Sequence, residues 1–223
     1  GTVARVDQIK DVCDLHGVHI IEDAAPAFYM GEPYTYIPGS MSSTACFSFD
    51  FTKYPGTLGS GGAICTNLDD VSEKIYEISA HGRGRDKEIH RVGTKSYMDM
   101  TSCAVLLKEI ELFEQNQYRK HRRQIATWYI NNLPYENIPG ENYVWERYTM
   151  SVPSYEVEEV IKKLNSVKCL ARTFFKEPLH LLPWLNTYED ECPKTVEFCA
   201  STIHLPCHHY LKVEELERMK SVL

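Results

Sequence analysis

No apolar run in these 223 residues is long enough to cross a bilayer, with 43% hydrophobic and 25% charged residues. A soluble globular chain is the expectation, long enough for one large domain or two smaller ones with a sizeable core. An excess of positive charge is also lacking: 24 Lys and Arg stand against 31 Asp and Glu, for a formal net charge of −7 at pH 7. A sequence-independent grip on nucleic acid needs a basic surface that displaces counterions, so any anionic ligand must be held by a local site. Paired cysteines are missing. The eight cysteines stand singly at 13, 46, 65, 103, 169, 192, 199 and 207, and the start does not read as a signal segment. That scatter fits the reduced thiols of a cytoplasmic protein. Cys199, His204, Cys207, His208 and His209 come nearest to a metal cluster, but without the C-x-x-C spacing of structural zinc they read as strand and loop positions. Internal repeats and low-complexity tracts are absent.

What is present is an alternation of short elements. Val6, Ile9, Val12 and Cys13 recur at helical spacing up to His16-Gly17, predicting a helix over 6–15. Val18 to Ile21 reads as a buried strand ending in the acids Glu22 and Asp23, the end at which open α/β sheets bind ligands. Residues 29–44, rich in Tyr, Pro, Gly and Ser, read as a surface loop. A strand over 45–49 leads into a polar loop with Lys53 and several glycines, and a third strand follows at 63–66. Asn67 or Asp69 is the candidate cap of a helix burying Val71, Ile75 and Ile78. The run 81–93, with Arg83, Arg85, Lys87 and Arg91, reads as a solvated connection, or more sharply as an anion-contacting loop. Neither Pro nor Gly interrupts 99–132, which is one long helix or two in tandem. After a break at Pro134, Pro139 and Gly140 the rhythm changes to a small α+β unit, with strands near 148–152 and 203–205 and helices near 157–164, 195–200 and 213–222. The resulting division is 1–133 and 134–223.

One constellation carries chemistry: Asp23 at a strand end, Ser48 on the next strand, Lys53 five residues on, then Gly61-Gly62. Taken singly, a terminal Asp is a cap, a Ser is structural and a Lys is solvated. Their order is what matters. The segments Ile21-Glu22-Asp23-Ala24-Ala25, Phe47-Ser48-Phe49 with Lys53, and Gly59-Ser60-Gly61-Gly62-Ala63 together resemble the DegT/DnrJ/EryC1/StrS sugar aminotransferases. Pro178-Leu179-His180 and Leu205-Pro206 extend the resemblance to the C-terminus.

The resemblance implies an α/β fold: the second part of an aspartate-aminotransferase-like, type I large domain, then a C-terminal α+β small domain. It implies pyridoxal 5′-phosphate as cofactor, with Asp23, Ala25, Pro26, Ser48, Lys53 and Lys95 around it and Lys53 as the catalytic residue. A lysine amine holds an aldehyde cofactor covalently yet exchangeably, then serves as general acid and base. A buried carboxylate, by resemblance Asp23, keeps the ring nitrogen protonated, and Ser48 contacts the phosphate. Glu22 would point to the other face of its strand. Several residues depart from the family pattern. Pro26 stands where relatives often have Gln, Tyr54 where Asn commonly follows the lysine, and Lys95 and Tyr97 where Asn and Arg are frequent and a neighbouring subunit helps bind phosphate.

The chain opens on Gly1 and is expected to begin midway through the large domain. The implied reaction moves an amino group from a donor such as glutamate to the keto group of a nucleotide-linked sugar. A complementary polypeptide supplying the N-terminal half, within an oligomer, is the expected partner. Two alternatives stand beside this: a non-catalytic subunit that stabilises an active paralogue, and a sugar dehydratase of the same family, which carries His in place of the lysine.

Overall fold

Helical spacing at the start produces α1 (Val6–His16), which stops where Gly17 takes a φ of 64°. The computed structural model describes residues 4–28, 37–115, 117–138, 145–185 and 192–223. Half of the loop expected at 29–44, residues 29–36, lies outside the described residues, as does the break at 139–140; 37–43 are irregular turns and Thr44 already begins a strand. Two compact units are present, Thr2–Asn116 and Gln117–Leu223. Among the described residues no helix is long and apolar enough to cross a membrane.

The first unit holds β1 (Ile21–Asp23), β2 (Thr44–Ser48), β3 (Gly62–Thr66), α2 (Asp69–Ser79) and α3 (Met100–Gln115). Its sheet has the order β1-β2-β3, with β1 parallel to β2 and β2 antiparallel to β3. The first strand lies three residues later than the apolar run Val18–Ile21 predicts, and it is not buried throughout: Ile21 is 73% exposed and Glu22 only 8%. Among the described residues β1 pairs on one side alone, which leaves its other edge unpaired, and the face bearing Ile21 and Asp23 is exposed. Neither Asn67 nor Asp69 caps α2, whose N-cap is Leu68 with no side-chain bond, and the residue α2 buries is Glu77, ion-paired to Arg91. The guanidinium beside it makes burial of that carboxylate tolerable. The pair ties loop 81–93 back to the helix.

In the second unit α4 (Tyr118–Asn132) precedes β4 (Arg147–Ser151), α5 (Val157–Ser166), α6 (Pro193–Ser201), β5 (Thr202–Pro206) and α7 (Val213–Lys220). The apolar stretch 99–132 is thus two helices, broken where Gln117 adopts a left-handed φ of 52°. The sequence division at 133 assigned α4 to the first part. In the structure Ile125, Ala126 and Tyr129 of α4 belong to the hydrophobic core of the second unit. That core follows from period 2 in the strands and 3.6 in the helices. Tyr148, Met150, Ile203 and Leu205 point inward from the antiparallel β4–β5 ribbon onto Val160 and Leu164 of α5 and Leu216 and Met219 of α7. Tyr129 is buried among them, its hydroxyl donating to the Pro206 carbonyl at 3.0 Å. Removing the fully buried Leu164 side chain leaves a cavity, so Leu164→Ala should cost about 2–5 kcal/mol of unfolding free energy in a denaturant titration.

Three histidines in this unit are held neutral. Burial, followed by the charge of Arg147, pushes His204 down to about 4; burial, followed by Arg122, pushes His209 to about 4; burial also lowers His208. A histidine depressed in the fold leaves the unfolded chain binding more protons between pH 4 and 6.5, so stability falls as pH drops through that window. The exposed His90, raised by Asp86, works in the opposite sense but belongs to the first unit. The melting temperature of the second unit should therefore decline from pH 7.5 to 5, and His204→Gln should flatten the slope. An unchanged melting temperature over that range would contradict the assignment.

Candidate active site

Parallel register places the site. Asp23 is opposite Cys46, Ala24 N donates to the Cys46 carbonyl at 2.9 Å, and Ser48 lies two residues beyond Cys46. Paired residues share a face and so do residues i and i+2, so Asp23 and Ser48 stand on the same face at the carboxyl ends of adjacent parallel strands. Glu22 falls on the other face, as expected. There it is buried and accepts from Gly39 N at 2.7 Å and from Ser42 Oγ at 3.1 Å, anchoring the chain that leads into β2.

Asp23 differs from its expectation in burial, because it is exposed on the open face of β1. Its Oδ1 accepts from Ala25 N at 3.1 Å, and the following turn is closed by Ala27 N donating to the Ala24 carbonyl at 2.9 Å. Ala25 and Pro26 are half-buried in that turn. Phe28 fixes it beneath the sheet by edge contacts to Phe49 at 5.2 Å and Phe47 at 6.0 Å.

Lys53 sits on the β2–β3 connection. The ladder continues past the strands, with Phe49 N bonded to the Gly61 carbonyl and Phe51 N to the Gly59 carbonyl, each at 2.8 Å. Inside this frame Lys53 N donates to the Asp50 carbonyl at 2.8 Å, and the side chain is half-buried. Asp50 Oδ1 accepts from Thr52 N and Thr52 Oγ1, bonds that hold its carboxyl below the usual range, with the Lys53 charge adding to them. Tyr54 rests on Phe113 of α3 at 5.5 Å, and the Tyr54–Pro55 bond is cis. Gly56 is required here, since a Cβ would come within 2.6 Å of the Lys53 carbonyl oxygen. A Cβ on Gly61 would lie 2.6 Å from Met98 Sδ, which shows that the segment carrying Lys95 passes beside this loop. Lys95 itself is exposed, its Nζ 5.5 Å from the centre of the Tyr97 ring.

The strand register thus places Asp23 and Ser48 on one face, Lys53 follows on the hairpin five residues beyond Ser48, and the 95–98 segment passes beside Gly61 through Met98. Sequence reading missed Glu22 and Asp50 as the residues that brace the loops. An S/T-type residue two positions after Asp50 was the available signal. Of the cysteine and histidine positions near the C-terminus, Cys207 is buried in the core of the second unit, where burial pushes its thiol up to about 12. Among the described residues no three metal-ligating side chains converge.

An acid and a hydroxyl at the carboxyl ends of parallel strands, followed by an amine on a braced turn, make a donor set that fits a phosphorylated pyridine aldehyde. Ser48 Oγ accepts from Asp50 N at 3.3 Å, which leaves its own proton to donate. The chain is 28% identical to a UDP-2-acetamido-2-deoxy-3-oxo-D-glucuronate aminotransferase of Pseudomonas aeruginosa over 97% of its own length and 61% of that protein's. It is 29% identical to a dTDP-3-amino-3,4,6-trideoxy-alpha-D-glucose transaminase of Streptomyces venezuelae, over 95% and 57% respectively. Its fold superposes on the S. venezuelae DesV structure in complex with a ketimine intermediate with a TM-score of 0.84 at 25% identity, covering 99% of this chain and 61% of that one. A Brucella abortus aminotransferase of the DegT DnrJ EryC1 StrS type gives 0.87 at 24% identity, covering 99% and 60%. The chain therefore spans about three fifths of the length of these relatives. The match to the family extends over residues 1–223, and the chain belongs to the DegT/DnrJ/EryC1/StrS aminotransferase family.

Proposed function

We propose that this chain forms the lysine-bearing part of a nucleotide-sugar aminotransferase, which uses pyridoxal 5′-phosphate to move an amino group from a donor such as glutamate to a sugar keto group. The observation that carries the reading is the shared face of Asp23 and Ser48, with Lys53 five residues beyond on a turn closed by Asp50. Relatives whose names specify transamination of UDP- and dTDP-linked sugars support the substrate class. In this reading the first unit corresponds to the second part of a type I large domain, and the second unit contains the small domain. A cytoplasmic location accords with a biosynthetic role.

Bound at this site, the cofactor supplies an electron-withdrawing ring that makes the adjacent carbon–hydrogen bond of the amino donor labile. Asp23 keeps a proton on the ring nitrogen by opposite charge. Ser48 donates its hydroxyl to the phosphate, and Lys95 offers a cation to the phosphate of a neighbouring subunit. Lys53 Nζ would take up the proton from the donor carbon and hold it for return later in the transfer. Pro26 has no side-chain donor for the ring hydroxyl, so in this chain orientation falls to the remaining contacts.

The open face of β1, where Ile21 and Asp23 are exposed, supports a complementary polypeptide carrying the rest of the family fold and closing the site. Covering that face would desolvate Asp23 and strengthen its hold on a ring proton.

Borohydride reduction of the purified protein after incubation with pyridoxal 5′-phosphate, followed by peptide mass mapping, should place a pyridoxyl adduct on Lys53. Lys53→Ala should abolish the adduct and lower amino transfer by about 10²-fold or more. Asp23→Asn should keep the adduct but slow transfer. A label confined to an accompanying polypeptide would instead identify this chain as a non-catalytic partner.

A further inference from the structure

We propose that the outer face of the β4–β5 ribbon is an oxyanion-binding site built from Arg147, Thr149, Arg172 and His204. Strand alternation sends Tyr148, Met150, Ile203 and Leu205 into the core and their neighbours to the opposite side. Thr149 is paired with His204, and His204 exchanges backbone hydrogen bonds with Arg172 at 3.2 and 2.8 Å. Arg147 lies two residues before Thr149, so the four side chains share one face. An ordinary solvent face would also be polar, but three features distinguish this one.

First, the face borders a cavity of about 470 Å³, lined among others by Arg147, Arg172 and His204. Second, its polar groups are held in place. Thr149 is only 4% exposed and its Oγ1 shares a 2.9 Å hydrogen bond with His204 Nδ1. The Arg147 guanidinium is 4.1 Å from the centre of the Phe174 ring, whose edge also meets His204 at 5.7 Å. The Asn165 amide clamps Ala171 through both its groups, at 3.0 and 2.7 Å, and so fixes the backbone that presents Arg172. Third, among the described residues neither guanidinium is in an ion pair. Glu146 also lines the cavity, and two guanidinium groups against one carboxylate leave a positive excess. Both arginine charges bear on His204, which stays neutral and offers its ring as a hydrogen-bonding group.

Planar, forked guanidinium groups of this kind recognise phosphate and carboxylate oxygens. The site itself stands on geometry alone. Assigning its ligand to the reaction, as the diphosphate of a nucleotide sugar or the carboxylate of the amino donor, rests on the function proposed above.

The test is calorimetric titration of the full chain, without cofactor and at low salt, with uridine diphosphate, thymidine diphosphate and glutamate in separate arms. Arg172→Gln, Arg147→Gln and Arg172→Lys are compared, with melting temperature as the check on folding. Arg172 is exposed, so its substitution leaves the core intact. Saturable binding of a diphosphate should weaken about tenfold or more in each Gln variant and partly return in Arg172→Lys. Saturable binding of glutamate alone, with the same dependence, supports the site and names the amino donor as its ligand. No saturable binding in any arm, or binding unaffected by both Gln substitutions, overturns it. Because this readout needs no cofactor, a Lys53 adduct with no anion binding sinks this inference only. Arginine-dependent anion binding without the adduct sinks only the cofactor reading.

Discussion

Parallel pairing of Ile21–Asp23 with Thr44–Ser48 is the constraint on which the candidate site depends. In that register Asp23 and Ser48 share a face, Glu22 is sent to the other, and both strands deliver their carboxyl ends to one edge. A slip of one residue would exchange Asp23 for Glu22 and leave a buried carboxylate without Gly39 N and Ser42 Oγ to satisfy it. The buried Glu22 therefore acts as a register lock.

The antiparallel return of β3 does a second job. By extending the ladder through Phe49–Gly61 and Phe51–Gly59, it holds a long connection as a braced hairpin. Lys53 is thereby presented on a turn tied down by Asp50, Thr52 and the close approach that Gly56 permits. The same economy appears in the second unit, where one face of β4–β5 forms the core and the other displays Arg147, Thr149 and His204.

Much of this was legible in the sequence because local periodicity dictated it. The spacing of Val6, Ile9 and Val12 produced α1, Val157 to Leu164 lies within α5, and the order of Asp23, Ser48 and Lys53 pointed to the candidate site proposed here. What could not be read was set by partners distant in the chain. Val18–Ile21 looked buried, yet its apolar character does not say whether a neighbour covers it, and Ile21 is exposed. Helix α2 appeared to bury Ile78 but buries Glu77, since Arg91 compensates the charge from 14 residues away. The grouping of α4 with the second unit depends on tertiary contacts of Ile125 and Tyr129 that no turn signal announces.

We propose that a carboxylate at a strand end and an amine on the turn beyond the neighbouring strand grip opposite parts of one cofactor. A crystal structure of the protein soaked with pyridoxal 5′-phosphate, together with any polypeptide that completes the site, measures this directly. The account predicts continuous density from Lys53 Nζ to the cofactor and the Asp23 carboxylate about 2.7–3.2 Å from the ring nitrogen. A cofactor bound elsewhere, with Asp23 still facing solvent, would contradict it.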